Sequence, residues 1–283
     1  MKDFAAITGR DTAYNFHSHT QFCDGHADMR AFAEAAASEE MKHYGFSPHS
    51  PVPITSPCNM KTEDVPAFFA EVDAVQSRWQ SVHFYRAMEV DYLGKQWGPA
   101  VDYFRDLGLD YVIGSVHFVP AKDDRTLYID IDGSTERFMR NMHEHFGKDI
   151  EYVVRTFYEH SADMLALGGL DILGHLDKIE QNGEVYDPDL VQHGWYLDTI
   201  DAYIDEVIAS GVTIEVNTKA LSRLKRLFPH ERWMPRLVAA DVPLVVNSDA
   251  HEPKLINAGR EYALGVIEKL REKFRRQNTH AYQ

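Results

Sequence analysis

Residues 14–40 read YNFHSHTQFCDGHADMRAFAEAAASEE, and the order of patterns inside them decides the fold. Tyr14–His17 is a short aromatic run of strand type, a polar loop with a turn follows, and over Met29–Glu40 apolar residues return at three- and four-residue spacing, as on one helix face. Strand, turn, helix is the repeating unit of a parallel α/β fold. The same order recurs seven times, with strand candidates at Tyr14–His17, His43–Ser47, His83–Val90, Tyr111–Val116, Leu170–Gly174, Val212–Val216 and Pro243–Asn247. Helix candidates between them include Met29–Glu40, Val65–Gln80, Pro188–Ser210 and Gly259–Arg275. The expected class is α/β with a parallel sheet.

A chain of 283 residues with 44% apolar content is long enough for one closed α/β barrel, so residues 1–283 are expected to form one domain. Forty-four acidic residues against 29 basic ones give a net charge of −15, which argues against nucleic acid or an anionic membrane as partner. Bound divalent cations would offset part of it. No run approaches the roughly eighteen apolar residues of a membrane span, and the start, MKDFAAITGRDTAY, lacks a signal-peptide core, so a soluble cytoplasmic protein is expected. Cys23 and Cys58 are too few for a disulfide framework or a thiolate zinc site, so any metal must be held by His, Asp and Glu. Between the fourth and fifth strands, about 120–169 is expected as an insertion over one barrel face, beginning with the polar AKDDRTLYIDIDGS. The DxD pattern in YIDIDGS is expected to be a solvated turn.

Fifteen histidines are many, and six fall where a predicted strand ends: His17 and His19, His49 in GFSPHSP, His117 in IGSVH, His175 in ILGHLD and His251 in VVNSDAH. On an extended chain residues i and i+2 share a face, so His17 and His19 project together. Three carboxylates occupy the same places: Asp24 in the first loop, Glu89 in RAMEVDY and Asp249 beside His251. A lone histidine at a strand end is ordinarily a satisfied polar residue. Nine such groups on the one face where parallel strands end would be costly to pack unless cations compensated them. His26, His43, His83, His143, His145, His160, His193, His230 and His280 fall elsewhere and are expected to be structural or on the surface.

The ordered set HSHTQFCDG, GFSPHSP, MEVDY, GSVHF, GHLD and NSDAH resembles the polymerase and histidinol phosphatase (PHP) family over nearly the whole chain. EVDY, VHF and the long segment before GHLD look most like its monofunctional L-histidinol-phosphate phosphatases, and no polymerase module is present. The resemblance implies a distorted seven-stranded TIM-like barrel with three divalent ions. By motif position His17, His19, Glu89 and Asp249 would hold the first ion, Glu89, His117 and His175 the second, and Asp24, His49 and His251 the third, with Glu89 bridging the first two. One departure is Pro48, where the family often has an acidic residue before the histidine.

Imidazole with carboxylate suits zinc, manganese or iron, and without thiolates the choice among them stays open. Two such ions about 3.5–4 Å apart can share a water acidified into a nucleophile, so neither Cys nor Ser is needed and Cys23 is expected to be a packing residue. The expected reaction is hydrolysis of a small-molecule phosphomonoester, L-histidinol phosphate giving L-histidinol and phosphate in histidine biosynthesis. Glu89, Asp249 and His251 are the catalytic candidates. Arg260, at a helix start after the seventh strand, is the leading candidate for phosphate, ahead of Arg155, Arg223 and Lys225. A phosphodiesterase or nucleotide phosphatase on the same metals, and a non-enzymatic metal-binding regulatory module, are the alternatives. The sequence leaves the oligomeric state open.

Overall fold

The computed structural model describes residues 4–281. Its strands, in chain order, are β1 (Tyr14–Asn15), β2 (His43–Phe46), β3 (His83–Asp91), β4 (Tyr111–Ser115), β5 (Phe118–Pro120), β6 (Tyr128–Asp130), β7 (Ile172–Leu173), β8 (Thr213–Asn217) and β9 (Leu244–Asn247). The helices are α1 (Phe4–Thr8), α2 (Met29–Ser38), α3 (Val65–Arg78), α4 (Asp102–Asp106), α5 (Thr135–Glu144) and α6 (Ile150–Leu167), followed by α7 (Glu180–Tyr186), α8 (Gly194–Ser210), α9 (Leu221–Leu224), α10 (Met234–Ala239) and α11 (Arg260–Ala281).

Seven strands form one all-parallel sheet in the order β1-β2-β3-β4-β7-β8-β9. The last strand comes back to the first without a continuous ladder. A single bridge joins Ser18 to Ala250, the Phe16 amide donates to Asn247 Oδ1 at 2.9 Å, and the Ser248 amide donates to Asn15 Oδ1 at 3.1 Å. Asparagine side chains thus stand in for backbone pairing along the seam, and the barrel is nearly closed, as the sequence predicts.

Alternation along each strand sorts side chains between the barrel interior and the helix-facing core. In β3, Phe84, Met88 and Val90 face the helices, whereas Tyr85 and Ala87 face inward, followed by Glu89 and Asp91 on the same inward face. In β4, Val112 packs outward while Tyr111 and Ile113 fill the interior, and β9 splits Leu244 and Val246 from Val245 in the same way. The lower interior is therefore a plug of Tyr14, Phe16, Tyr85, Tyr111, Ile113, Ile172 and Val245, covered by Phe4 of α1. Gly45 is required there, because a Cβ would lie 1.6 Å from the Tyr111 hydroxyl. Above that apolar floor the inward positions become polar, and this change of layer creates the site.

Several predicted bounds move. The first strand ends at Asn15 instead of His17, and the fifth is Ile172–Leu173, because beyond them the backbone leaves the ladder to present His17, His19 and His175. The stretch Pro188–Ser210 is broken: His193 is extended (φ −67°, ψ 132°), and only from Gly194 does α8 run. YIDIDGS is not merely a solvated turn, since Tyr128–Asp130 pairs antiparallel with β5 and Ile129 is buried. Between β4 and β7 the chain thus makes a hairpin, α5 and α6. Helix α6 buries Val153, Val154, Phe157 and Met164, and its Tyr158 lies 5.2 Å from Tyr203 of α8, so it packs on the neighbouring helix of the ring. No described helix is long and apolar enough to cross a membrane. The side chain of His280 lies outside the described residues.

Candidate metal centre

All nine predicted strand-end groups converge at the carboxyl ends of the strands. The centre is Glu89, 1% exposed. Its Oε2 lies 3.0 Å from His49 Nδ1, 3.3 Å from His17 Nε2 and 3.6 Å from His19 Nε2; its Oε1 lies 2.9 Å from His175 Nε2 and 3.4 Å from His117 Nε2. Ser115 donates to Oε1 at 2.7 Å, which fixes the carboxylate plane. Asp249 Oδ1 is 3.1 Å from His19 Nε2 and 3.5 Å from His251 Nδ1, while its Oδ2 accepts from Asn217 Nδ2 at 3.1 Å. Its backbone sits in the left-handed region at φ 49°, a conformation that aspartate tolerates better than most residues. On the outer side Asp24 Oδ1 is 3.3 Å from His251 Nε2, 3.6 Å from His19 Nδ1 and 3.8 Å from His49 Nε2.

The imidazoles are oriented from behind. His17 Nδ1 lies 2.7 Å from Glu215 and His117 Nδ1 lies 2.8 Å from Asp91. A carboxylate behind one ring nitrogen accepts a hydrogen bond from its N–H and so directs the other nitrogen's lone pair forward, the arrangement metal-ligating histidines use. Sequence reading missed both supports. A signal existed: Asp91 is two residues from Glu89 and so on its face, and Glu215 is a lone acid in the apolar strand TIEVN.

The donors fit divalent ions. His17 Nε2, His19 Nε2 and Asp24 Oδ1 are buried without a hydrogen-bond partner, and leaving such atoms unmet costs on the order of 1–3 kcal/mol each. Three sets of donor atoms lie within 4.8 Å of one another: His19, Asp24, His49 and His251; His17, His19 and Glu89; His49, Glu89 and His117. These sets share His19 and His49 between neighbours, where motif position gives each to one ion.

The electrostatics of the carboxylates fit ligand duty too. Burial works against ionising Glu89 and Asp249, yet the facing histidines, and Lys219 for Asp249, hold both well below the ordinary carboxylate range. His117 is pushed up to about 10 because Asp91 and Glu89 outweigh its desolvation. Burial, His251 and His49 hold His19 well below the usual imidazole value. Burial and Asp24 push the Cys23 thiol far up, so it stays protonated, with Sγ 3.4 Å from His19 Nδ1.

The substrate-side candidates divide. Arg260 is not brought to the cluster. Its guanidinium donates to Val246 O (3.1 Å), Thr12 O (3.0 Å) and Asn257 Oδ1 (2.8 Å) and lies over the Tyr14 ring, so it braces the seam between β9 and β1. A helix start favours anions in general, but here the buried carbonyls take the side chain. Arg155 pairs with Glu151 and Thr199 on the outside of the barrel, and Lys225 donates to its neighbour Ser222 O. Arg223 does line the cavity above the cluster, a space of about 720 Å³. Among its other cations, Lys178 and Lys219 were missed, as was Asp132. Lys219 Nζ is 3.3 Å from Asp249 and 3.2 Å from His251 Nε2. They arrive on loops, and no periodicity announces where a loop side chain ends up.

The sequence model of the PHP domain matches residues 15–219. The chain belongs to the PHP family. That match covers seven of the nine converging groups, and Asp249 and His251 join the same cluster from the segment after β9. Among curated relatives, the "Probable histidinol-phosphatase" of Deinococcus radiodurans is 29% identical over 248 residues, covering 84% of this chain and 85% of its own. The protein of the same name from Schizosaccharomyces pombe is 24% identical over 275 residues, 89% of this chain and 85% of its own. Among solved structures, the Listeria monocytogenes protein assigned as a histidinol phosphatase superposes with a TM-score of 0.76 at 19% identity, covering 88% of this chain and 99% of its own. The Lactococcus lactis histidinol phosphate phosphatase, solved with zinc, L-histidinol and phosphate, gives 0.66 at 16% identity, covering 91% and 93%. At these identities the two structures speak for the fold, which is the PHP-type barrel.

Proposed function

We propose that this PHP protein is a metal-dependent phosphomonoester hydrolase that converts L-histidinol phosphate to L-histidinol and phosphate and serves histidine biosynthesis. The observation that carries the reading is the cluster of nine His, Asp and Glu side chains, Glu89 at its centre, at the floor of a cavity, with three of their buried donor atoms unmet. The names of the two curated relatives, and the zinc, L-histidinol and phosphate of the Lactococcus lactis protein, support the substrate.

Three divalent ions are proposed, with His17, His19, Glu89 and Asp249 around the first, Glu89, His117 and His175 around the second, and Asp24, His49 and His251 around the third. Zinc, manganese or iron would suit these donors. Such ions supply Lewis-acid polarisation of a phosphoryl group and a water acidified for attack near neutral pH. The protein's own part is positioning and charge. Glu215 and Asp91 hold two imidazoles in the tautomer that presents Nε2. Lys219 sits beside Asp249 and His251, where its ammonium meets phosphoryl oxygens and stabilises charge as it builds, and Arg223 adds a second cation from above. In the balanced reaction a bond forms from a water oxygen to phosphorus as the bond to the ester oxygen breaks, and the proton lost by water is made up on the departing alkoxide. Delivery of that proton would fall to His251 or Asp249, which lie 3.5 Å apart at the cavity floor, whichever is released from ligand duty by exchange.

The test is phosphate release from L-histidinol phosphate by the purified protein, then after chelation, then after zinc or manganese is restored. Turnover that disappears and returns supports the reading, and turnover indifferent to chelation defeats it.

A further inference from the structure

We propose that Asp132 and Lys178 form a charge pair that opens to receive a phosphomonoester of a β-amino alcohol, with Asp132 taking the substrate's ammonium and thereby setting specificity. This rests on the phosphatase reading above.

Among the acids near the cavity floor, Asp132 is bonded differently. Glu89, Asp249 and Asp24 face imidazoles, and Asp91 is held by His117 and by Asn59 Nδ2 at 3.0 Å. Asp130 is used as a brace: its Oδ1 accepts from the amides of Asp132 and Gly133 at 2.8 and 3.0 Å, and Arg137 holds its Oδ2 at 3.0 Å. The Ile131 amide donates to His117 O at 2.9 Å, which registers this loop on the end of β4. Asp132 is thus presented on a fixed backbone directly above the ligand His117, its Oδ2 4.0 Å from His117 Nε2.

Its closest charged partner is Lys178 Nζ, 3.1 Å from Oδ1. That ammonium ends a flexible stem and rests over the Phe228 ring at 4.8 Å, three residues after the ligand His175. A lysine is a counter-ion that another ammonium can replace, and it keeps its use when released, because a phosphate arriving at the floor attracts it. A β-amino alcohol phosphate carries the two complementary charges two carbons apart. Its dianion satisfies Lys178 as its ammonium satisfies Asp132, so no charge is left buried and unpaired. An ester without the amine leaves Asp132 to Lys178 and gains nothing from the pair. Discrimination here is the worth of the ammonium contact that only the amino ester gains.

The test is a two-by-two comparison on the metal-reconstituted protein: wild type and Asp132→Asn, each with L-histidinol phosphate and with its des-amino analogue, 3-(imidazol-4-yl)propyl phosphate. Wild type is expected to prefer the amino ester by about 10- to 100-fold in kcat/KM, the worth of one charge-assisted hydrogen bond. Asp132→Asn should lose that preference through KM for the amino ester, with the des-amino ester changed less than about threefold. The pair also predicts opposite shifts in inhibition by L-histidinol, weaker in Asp132→Asn and tighter in Lys178→Met, where the carboxylate is freed. Equal losses on both esters, or a wild type indifferent to the amine, overturns the role of Asp132 and leaves the phosphatase standing. A wild type that hydrolyses p-nitrophenyl phosphate but neither imidazole ester overturns both.

Discussion

Replacing Glu89 by Gln tests the hub of the centre. The glutamate's two oxygens serve opposite sides, Oε2 toward His17, His19 and His49 and Oε1 toward His117 and His175. Glutamine keeps the volume and can still accept from Ser115, but it offers one oxygen and one NH₂. Whichever way the amide turns, one set of imidazoles meets a donor in place of an anion. Each lost charge-assisted contact is worth roughly 1.5–3 kcal/mol, so affinity for an ion on the affected side should fall about 10- to 150-fold. Because the anion is lost to both sides, kcat should fall by about 10²–10³-fold, the scale seen when one preorganised charge partner at a reacting centre is removed. Chelator competition gives the affinities, and turnover at saturating metal gives kcat. Thermal unfolding of the metal-free variant separates a binding defect from a folding one. Affinities and kcat within about threefold of wild type would refute a bridging role for Glu89.

Lys219→Met should keep its metal content and lose about 10- to 100-fold in kcat/KM on phosphomonoesters, since it removes a cation from the phosphoryl site; elemental analysis beside kinetics checks both halves. Arg260→Ala should act on stability instead, by on the order of 3 kcal/mol or roughly 6–12 °C in Tm, with kcat/KM of the folded fraction unchanged; a selective loss of activity would return Arg260 to the substrate. Cys23→Ala should retain most activity, and an inactive variant with full metal content would revive a thiol mechanism. His160, buried beside Tyr92, is lowered from the usual imidazole range to about 4 by burial and Arg125. A histidine whose folded value is depressed binds protons more readily in the unfolded chain, so its stabilising effect is complete above about 6.5 and is lost as pH falls toward 4. His160→Gln should flatten the decline of Tm across that window, and an identical pH slope in both proteins would contradict this.

The repeat was legible because it follows strand periodicity, and the converging groups because each lies at or just beyond the carboxyl end of a parallel strand. An inward residue at a strand end must reach the same face as its counterparts on every other parallel strand, so His17, Glu89, His117 and His175 could be placed together before any coordinates. The end of β1 was less legible, since it depends on where the seam closes, and that is decided by Asn15 and Asn247 side chains replacing backbone pairs. Arg260 was misread for a physical reason: a helix start attracts anions, but buried carbonyls and the face of Tyr14 compete for the same guanidinium and win. Lys219, Lys178 and Asp132 were hidden because each is set by a loop path. The brace that aims Asp132, two amides on Asp130, becomes visible only once the hairpin of β5 and β6 is formed.

The ratio of kcat/KM for L-histidinol phosphate to that for p-nitrophenyl phosphate and for a nucleoside monophosphate, measured on metal-reconstituted protein, tests the central claim most directly. A preference for L-histidinol phosphate over both, abolished by chelation and restored by a divalent ion, is the predicted result. Preference for either competitor would contradict the substrate, and undiminished turnover in chelator would contradict the metal chemistry itself.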